Sequence, residues 1–509
     1  MIRVRRSAVG IVLAACSLAF NSVHAHAATY QVASPGQPGN DLSCTPCSTI
    51  AGALTRTQIM PGTDTIKLGA GTYNEAVSIT VGNPVNLVGN GMSGPNATTL
   101  GSNGAQAILS IDAGSATDLR VLGNDDTQLV TMSGGLLRRV HVSEPVANHS
   151  VSAISVFSGG VGAPTIADST VDMPDANGWF KTWGISTMGQ ATNLTITNSQ
   201  VTADAVLGIS KDATITATRL VGIGRSEILS DQQGGTADLR SSLFRVTNGS
   251  LAFTLFPHDG SNRVSNLWLR NCTVVGTGAD FTTAISVLAN TDNNSAHLHV
   301  DSSVIHGFHT HLYEDKFGTG SATSEITNSF FNDLAIMLTA GVNEAPQLAG
   351  NVFSLNPGFV NEAAHDYRPL PGSILVDAGK PGLLGADDPA VDVRGLARRR
   401  DGNGDGVVRR DIGAFEYQPA PKASKAPAAT GILRVGRRLT CTMGTWSNAG
   451  AVTIGFRWYR GSTPIAGASK QRYRLTAADR GKRVSCKEIR TTVDNAAASA
   501  RSAKRRVSS

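Results

Sequence analysis

The sequence predicts an all-β protein, in which a right-handed parallel β-helix is followed by a small second β domain. The chain has 509 residues, more than one compact core usually serves. Its 5% aromatic residues, 16% charged residues and 55 glycines suit short strands joined by tight turns. A short sequence pattern also recurs through the middle of the chain without helical periodicity, which is typical of a solenoid.

Residues 1–27 are predicted to be an export signal. Three arginines lie within the first six residues, residues 8–20 are too short an apolar run to cross a bilayer, and Ala25-His26-Ala27 is a small-residue cleavage site. The alternative is a lipoprotein signal, in which Cys16 would carry the lipid. Since no later segment suits a membrane span, we expect a secreted or cell-surface protein.

The recurring pattern lies between Leu137 and Phe331 and reads apolar, any, polar, small, any, apolar. The first residues of its copies are separated by 30, 19, 24, 30, 31 and 26 positions. One such unit cannot bury its apolar residues alone, so we expect successive coils to stack and share a core. The short polar residues fit a bend between two strands, and Cys272 in this position should be a buried free thiol. The copies begin at Ile166, Ile196, Ile215, Leu239, Leu269, Val300 and Ile326.

The segments that flank the repeat support the same fold. Residues 49–58 are expected to form a helix that caps the open end of the solenoid. The run from Asp64 to Gly91 resembles the first coils of pectin-lyase-like β-helix proteins. Residues 373–379, 392–395 and 410–417 (Ser-Ile-Leu-Val-Asp-Ala-Gly, Asp-Val-Arg-Gly and Arg-Asp-Ile-Gly-Ala-Phe-Glu-Tyr) resemble the terminal segment of the bacterial choice-of-anchor Q family. The resemblance implies an exported β-helix over residues 28–417 and little about its chemistry.

The C-terminal part is predicted to contain a linker over residues 418–430, a domain over 431–500 and a basic tail over 501–509. The order Cys441, Trp458, Cys486 resembles a bacterial Ig-like β-sandwich. This resemblance implies that Trp458 packs on a Cys441–Cys486 disulfide, which an oxidising destination allows. Val484 stands where an antibody domain has Tyr, so the detailed topology is left open.

Charge is divided unevenly along the chain. Residues 421–509 contain 19 Lys and Arg against three acids, a net charge of +16, and the remainder has 25 basic and 35 acidic residues, a net charge of −10. This asymmetry indicates an anionic partner for the C-terminal domain, such as a cell-wall polymer, an acidic polysaccharide or lipid headgroups, in preference to nucleic acid. The alternative is that the positive charge serves solubility alone.

One outward surface of the repeat is the predicted binding site, because side chains alternate faces along a strand. Trp268 could stack on a sugar ring, and two arginines could pair with uronate carboxylates. The alternative is a set of salt bridges on an ordinary solvated sheet. One outward column is predicted as Asp238, Trp268, His299 and Glu325, the next as Arg240, Arg270, Asp301 and Thr327, with Thr195, Thr197, Thr214 and Thr216 at the same positions in earlier coils.

No catalytic residue is assigned from the sequence. Asp301 and Glu325 could act as an acid and a base, since some glycosidases hold two carboxylates several ångströms apart. However, the Gly-His-Gly and Arg-Ile-Lys motifs of polygalacturonase-like enzymes are missing from the sequence, as are the Asp and Gln motifs of pectin esterases.

Two further motifs concern metal and sulfur chemistry. The run Asp401-Gly-Asn-Gly-Asp-Gly406 resembles the start of an EF-hand or dockerin loop, with Asp401, Asn403 and Asp405 as oxygen ligands and Asp411 as the closing acid, one place short of its usual position. Calcium is the one cofactor that the sequence suggests, and a metal-free turn is the alternative. Cys44 and Cys47 are predicted to form a local disulfide.

The predicted function is engagement of extracellular polysaccharide by a secreted or cell-surface β-helix. One alternative is a polysaccharide hydrolase or lyase that works on the outward face over residues 238–327. Another is a structural stalk or adhesin, anchored by the basic Ig-like domain.

Overall fold

A computed structural model of the chain describes residues 27–58, 63–101, 104, 107–124, 128–176, 180–189, 192–249, 251–258, 260–278, 282–290, 293–331, 336–338, 345–447, 452–492 and 497–508. The predicted export signal, apart from Ala27, lies outside the described residues, and so does Cys16. Within the described residues, no helix is both long and apolar enough to cross a membrane.

The body of the protein is a right-handed parallel β-helix, as the sequence predicted. Strands of successive coils pair in parallel and in register, and they form three sheets that run along the axis of the β-helix. Four longer strands bend from one sheet into the next.

Sheet 1 contains the strands Thr29–Val32, Asp64–Leu68, Val85–Val88, Ser115–Leu122, Leu136–Ser143, Thr165–Ala167, Asn193–Thr197, Thr214–Thr218, Thr236–Arg240, Val264–Arg270, Ser295–Asp301, Ser321–Thr327 and Gln347–Ala349. Sheet 2 takes the ends of Ser115–Leu122 and Leu136–Ser143 together with Gly71–Tyr73, Thr98–Gly101, Thr170–Asp172, Gln200–Ile209, Val221–Asp231, Leu243–Val246, Thr273–Val275, Val304–His306, Phe330–Phe331 and Val352–Phe353. Sheet 3 takes the ends of Gln200–Ile209 and Val221–Asp231 together with Val77–Ile79, Leu109–Ile111, Gln128–Met132, Val151–Phe157, Thr182–Met188, Leu251–Leu255, Thr283–Ala289, Thr310–Lys316 and Ile336–Leu338.

The apolar residues that begin the sequence repeat form one interior column of sheet 1. Ile196 is followed along the column by Ala217, Leu239, Leu269 and Val300, and all five are buried. The sequence pattern predicted that Ile215 continues this column, and this prediction is wrong. Ala217, two residues later, is the residue that pairs with Ile196. Burying each large aliphatic side chain contributes about 1.5–3 kcal/mol, so the column is a main source of stability.

The bend between sheets 1 and 2 uses the short polar residues of the repeat. Asn198, Asn271 and Asn328 have φ of 48°, 52° and 50°, in the left-handed region that Asn tolerates better than most residues. The serine that follows Asn198 or Asn328 accepts an N–H from the coil before it, as when Ser303 N–H donates to Ser329 Oγ at 3.0 Å. Cys272 stands in this ladder as a buried free thiol, and burial raises its pKa to about 12.

The N-terminal end of the β-helix is covered by the helix Ile50–Thr57, as predicted. Thr49 caps this helix by accepting the N–H of Gly52 at 2.9 Å. Ile50 and Ala53 face the buried interior of the first coils. The predicted Cys44–Cys47 disulfide is present beside the helix.

The last coils are covered by a terminal segment that returns along the outside of the body. The antiparallel strands Phe359–Asn361 and Asp366–Pro369, joined by the short helix Glu362–Ala364, pack on sheet 2 through Phe359 and Tyr367. Farther along, the fully buried Arg398 donates to Ser241 Oγ at 2.9 Å and to Glu416 Oε1 at 3.1 Å. The segment is thereby fixed against the corner of sheets 1 and 2.

The C-terminal unit is a separate set of antiparallel strands. The Cys441–Cys486 disulfide is present, and Trp458 is buried in the same cluster as both cysteines. The strands are Lys422–Lys425, Ala428–Thr430, Arg438–Thr442, Thr445–Ser447, Val452–Arg460, Thr463–Pro464, Arg472–Arg474, Arg483–Thr492, Ala497–Arg501 and Arg505–Arg506, with a short helix at Ala477–Asp479.

Two predicted boundaries of this unit are wrong. The expected linker, residues 418–430, contains the two strands Lys422–Lys425 and Ala428–Thr430, and Ala429 is buried in the core. The expected tail, residues 501–509, contains Arg505–Arg506, which pairs with the strand Arg483–Thr492, and Val507 is buried. The two segments are rich in small residues such as alanine, which is typical of a linker. Small residues can nevertheless fill a core and form edge strands.

Candidate functional site

The predicted surface patch is assembled on sheet 1. In consecutive coils Asp238 pairs with Trp268, Trp268 with His299, and His299 with Glu325, so these side chains form one outward column. Arg240, Arg270, Asp301 and Thr327 form the neighbouring column. Their alternating neighbours Leu267, Leu269, Leu298 and Val300 are buried, which turns the two columns outward.

The threonines predicted for the earlier coils are correct in part. Thr195 and Thr216 lie in the column of Asp238, and Thr197 and Thr218 lie in the column of Arg240. Thr214 was predicted here but pairs with Asn193 and Thr236 in a different column. The reason is the same shift of two residues that displaced Ile215 from the interior column.

Trp268 is packed between two of its neighbours. The His299 ring stacks on it with 3.6 Å between ring centroids and 6° between planes. The Arg270 guanidinium carbon lies 4.5 Å from the indole centroid, and Arg270 leans toward Asp238 on the opposite side from His299. The expected stacking of a sugar on the indole face therefore does not fit, because both faces are covered and only the ring edge faces the groove.

Both arginines of the patch are already paired with Asp238. Arg240 Nε donates to Asp238 Oδ2 at 3.0 Å, and Arg270 Nη1 lies 3.2 Å from the same oxygen. Asp238 raises the pKa of Arg240 through this hydrogen bond. Arg240 also lies 3.3 Å from Asp387. The expectation that these guanidinium groups bind uronate carboxylates conflicts with this geometry, since a protein carboxylate occupies each of them.

The accessible groups of the patch are Glu325, His299, Asp301 and Lys380. Glu325 has 51% of its side chain exposed and accepts from His299 Nδ1 at 3.2 Å. Lys380 has 49% exposed and lies 3.3 Å from Asp301. Asp301 also accepts from Ser302 Oγ at 3.0 Å. These groups offer hydrogen-bond donors and acceptors to a molecule in the groove.

A wall for the groove is supplied by residues 380–388 of the terminal segment. Lys380 N–H donates to Ser302 Oγ at 2.8 Å and fixes one end of the wall to sheet 1. At the other end, Asp388 accepts from Gly385 N–H at 2.7 Å and from the buried Arg410 at 3.0 Å. Burial alone would raise the pKa of Asp388, but these hydrogen bonds hold it below its ordinary value.

The groove between the wall and sheet 1 encloses about 250 Å³. Its ionisable lining contains four carboxylates, from Asp301, Glu325, Asp387 and Asp388, against the two permanent cations Arg270 and Lys380. The wall was missed by the sequence analysis, and no local signal marks it, because it meets sheet 1 only through contacts about 80 to 150 positions apart along the chain.

The four predicted calcium ligands are already hydrogen-bonded within the protein, and calcium binding stays a prediction. Asp401 accepts the N–H groups of Gly404 and Gly406 at 2.7 and 3.0 Å, and Asp405 pairs with Arg409 at 2.7 Å. Asp411 is buried and accepts from Asp377 N–H at 2.7 Å, and the side chain of Asp377 in turn accepts the N–H of Asn403 at 2.8 Å. Among the described residues, no three His, Cys, Asp or Glu side chains are grouped to hold a metal. The guanidinium group of Arg409 takes the position beside Asp405 that a cation would need.

Burial also changes the titration of the predicted closing acid. The pKa of Asp411 is raised well above its ordinary value, first by burial and then by the neighbouring carboxylate of Glu416. The side chain of Asp411 accepts the N–H groups of Asp377 and Tyr417, and its own N–H donates to Glu416 Oε1 at 3.1 Å. Asp411 therefore belongs to the anchor of the terminal segment.

The C-terminal unit has one face on which basic side chains lie side by side. Arg457 pairs across strands with Lys487, which in turn pairs with Arg501. Arg483 pairs with Arg506 on the same face. Cross-strand neighbours of like charge are destabilising, and no acid of the described residues forms an ion pair with these five. Two of the three acids are turned inward, since Asp479 and Glu488 are fully buried beside Arg460 and Arg490.

Comparison with known proteins gives little beyond the architecture. No protein-family model and no curated protein matches the chain. The chain is similar to the crystal structure of pectate lyase Pel9A, with 12% identity and a TM-score of 0.46, covering 77% of this chain and 96% of that chain. The choice-of-anchor Q and Ig-like assignments stay predictions, and the groove is interpreted from its own geometry.

Proposed function

We propose that the β-helix binds an extracellular polysaccharide of neutral or amino sugars in the groove between sheet 1 and residues 380–388. The observation that carries this proposal is the in-register column of Asp238, Trp268, His299 and Glu325, which faces an anchored wall. A row of side chains spaced about 4.8 Å apart offers repeated contacts to an extended chain. No residue is assigned a catalytic role.

The chemistry of the groove suits sugar hydroxyl groups. Glu325 and Asp301 accept hydrogen bonds, Lys380 donates them, and His299 can do either. Because these groups are paired with one another across neighbouring coils, their positions are fixed before a ligand arrives. The indole edge of Trp268 adds apolar surface between them.

The charge of the groove argues against a uronate polymer as the ligand. No permanent cation that the structure describes in the groove is free for a uronate carboxylate, because Arg240 and Arg270 are balanced by Asp238 and Asp387, Arg410 by Asp388 and Lys380 by Asp301. The exposed carboxylate of Glu325 is left as the unbalanced charge. A polymer with a carboxylate on every sugar would meet net repulsion, whereas an amino sugar would be attracted.

Retention of the full chain on polysaccharide columns tests this proposal. Glu325→Ala and Lys380→Met should each weaken retention on a neutral or amino-sugar polymer about tenfold, the effect of losing one charge-assisted hydrogen bond. Thr195→Val, in the same outward column but outside the groove, serves as the matched control and should change nothing. Unaltered retention of both groove variants on all polymers of the panel would refute the proposal.

A polysaccharide hydrolase or lyase is the second candidate function. Asp301 and Glu325 lie on adjacent coils in neighbouring columns, and both face the groove. The experiment is an assay of the purified protein for new reducing ends or unsaturated ends on the same polymers. Product formation that is abolished in Asp301→Asn and Glu325→Gln would replace the binding proposal with the enzymatic one.

We further propose that the C-terminal unit binds an anionic polymer of the cell surface through its face of five basic residues. The alternative, a stalk or adhesin anchored by this unit, relies on the same contact. Binding should weaken as salt increases, since the face is exposed and screened. The two disulfides fit an oxidising compartment, and export by residues 1–27 is part of this proposal.

Two double variants that each remove two positive charges distinguish binding by this face from binding by the net charge of the unit. Arg457→Gln/Lys487→Gln removes two neighbours from the face, and Arg438→Gln/Arg474→Gln removes an opposed pair from another sheet of the unit. The first should weaken binding of the full chain to a polyanion at low salt about tenfold or more, and the second much less. Equal effects would mean that only the total charge matters.

A further inference from the structure

Sheet 3 carries a recess of about 350 Å³ that none of the sites above uses. This size lies in the lower part of the range of small-molecule sites, roughly 300–1,000 Å³. The half-buried ring of Trp183 forms one side of the recess, and Met188 adds apolar surface. The remaining lining comes from Ser152, Ser186, Thr187, Gly189, Gly208, Ile209, Ser210, Ser230, Gln232 and Gln233.

Among the described residues, the lining of this recess contains no charged side chain, in contrast to the groove on sheet 1. Its polar atoms are hydroxyl and amide groups, which both donate and accept hydrogen bonds. Hydroxyl groups are connected from coil to coil: Ser152 and Ser186 are 3.0 Å apart, and Ser210 Oγ donates to Thr187 Oγ1 at 3.1 Å. The recess therefore combines an aromatic surface with neutral hydrogen-bonding groups.

Gly208 allows Trp183 to lie against the sheet. A Cβ at this position would come within 3.0 and 3.1 Å of two carbons of the indole ring and within 3.3 Å of the Ser186 Cβ. On another side, the ammonium group of Lys181 lies 4.7 Å from the indole centroid and pairs with Glu227. The ring is thus held in place without a ligand, and the charges nearest to it neutralise each other.

The rim of the recess is also fixed in advance. Asp231 is fully buried and accepts the N–H groups of Gln233, Gly234 and Gly235 at 3.2, 2.9 and 3.0 Å. This turn presents the exposed amides of Gln232 and Gln233 at the edge of the recess. A rigid rim reduces the entropy lost when a ligand binds.

We infer that the recess binds one uncharged sugar unit of a glycan. A pyranose would contact Met188 and the part of the Trp183 ring that lines the recess, which neither Lys181 nor the sheet at Gly208 covers, and its hydroxyl groups would bond to the serines and the two glutamines. An ionic ligand would find no counter-charge among the described lining residues, and a purely apolar one would cover the amides of Gln232 and Gln233 without offering them hydrogen bonds. This site is separate from the groove on sheet 1 and does not depend on its ligand.

Calorimetric titration of the full chain with neutral tetrasaccharides of β-1,4-linked glucose, mannose and galactose tests the inference. At least one should bind, and Trp183→Ala should weaken that binding about tenfold or more. Gln232→Leu should weaken this binding several-fold. Because it changes only an exposed amide, it should fold normally, so its effect would show that the loss in Trp183→Ala is not caused by misfolding. Thr195→Val, on the outward face of sheet 1 and outside both the recess and the groove, is the matched control, with affinity expected to match that of the parent.

Two results would overturn the inference. One is that none of the three tetrasaccharides binds at millimolar concentration. The other is that Trp183→Ala and Gln232→Leu bind the tetrasaccharide as tightly as the parent does. If Glu325→Ala then weakens binding, the sugar is bound in the groove on sheet 1. Because Trp183→Ala should leave polymer retention by the groove unchanged, the two proposals can fail independently.

Discussion

In the β-helix body, Asp238 lies between two arginines and Asp301 beside a lysine, whereas in the C-terminal unit Arg457, Lys487 and Arg501 lie side by side. The first arrangement uses opposite charges to fix side-chain positions along the groove. The second keeps like charges together at a cost to the stability of the unit. In the functions proposed above, the body recognises the shape and hydroxyl groups of a ligand, and the unit recognises its charge.

The two regions also differ in how their stability is distributed. The body repeats one interior column over many coils, so each coil depends mainly on its two neighbours. The C-terminal unit has a single small core around Trp458 and one disulfide. Damage to the unit should therefore spread through all of it, and damage to the body should depend on position.

The largest expected effect is the loss of the Cys441–Cys486 bridge. It closes a loop of 45 residues, and its removal in Cys441→Ser/Cys486→Ser should cost the unit about 4 kcal/mol. Hydrogen exchange should then show lost protection over residues 422–506 and unchanged protection in the body. Cys44→Ser/Cys47→Ser is the control and should leave the C-terminal unit protected. Loss of protection in the body as well would contradict the separation of the two regions.

Next in size is a cavity in the interior column of the body. Leu269→Ala should lower the free energy of unfolding by about 3 kcal/mol, because the residue is fully buried between two coils. Leu348→Ala lies at the end of the same column, where the side chain is 43% exposed, and should cost less than about 1 kcal/mol. Denaturant titration measures both. Equal losses would mean that the column does not act through neighbouring coils.

A smaller effect concerns the buried Asp479 of the C-terminal unit. Burial would raise its pKa, but hydrogen bonds from Thr476 N–H, Arg460 and Tyr473 outweigh it and hold the pKa below the ordinary value of 3.8. The stability it contributes is present above pH 3.8 and is lost as the pH falls through the lowered pKa. Asp479→Asn should cost the unit about 2 kcal/mol at pH 7 and less at pH 2.5, measured by thermal unfolding. A difference that stays constant with pH would exclude this role of the charge.

The smallest predicted effect has the opposite sign and lies in the body. Glu314 is buried near the last coils, and burial raises its pKa above the ordinary 4.5 although Ser324 donates to it at 2.6 Å. The free energy of unfolding should fall as the pH rises from 4.5 through the raised pKa, since the unfolded chain releases the proton more easily. Glu314→Gln should therefore stabilise the protein by about 1 kcal/mol at pH 8 and leave it unchanged at pH 4. Equal midpoints of the two proteins at pH 8 would contradict this.

The site shows where reasoning from the sequence succeeds within a repeat. The columns of Asp238 and Arg240 were predicted because strand alternation and a constant register follow from local pattern alone. The packing of His299 on Trp268 could have been predicted too, since identical positions in adjacent coils lie about 4.8 Å apart, close to ring-stacking distance. The predicted register was wrong near Ile215, because this apolar residue matches the sequence pattern two positions before Ala217, which is the residue that pairs with Ile196.

The resemblance of the C-terminal domain to an Ig-like sandwich implied the Cys441–Cys486 disulfide. The sequence by itself determined the parallel β-helix, its capping helix, the ladder that contains Cys272 and the local Cys44–Cys47 disulfide. Each of these depends on residues that are neighbours in one coil or occupy equivalent places in the next. Only the tertiary structure decided that residues 380–388 wall the groove and that Asp411 is buried beside Glu416. These contacts join segments with no repeated spacing, so they depend on how the chain packs in three dimensions and leave no periodic signal.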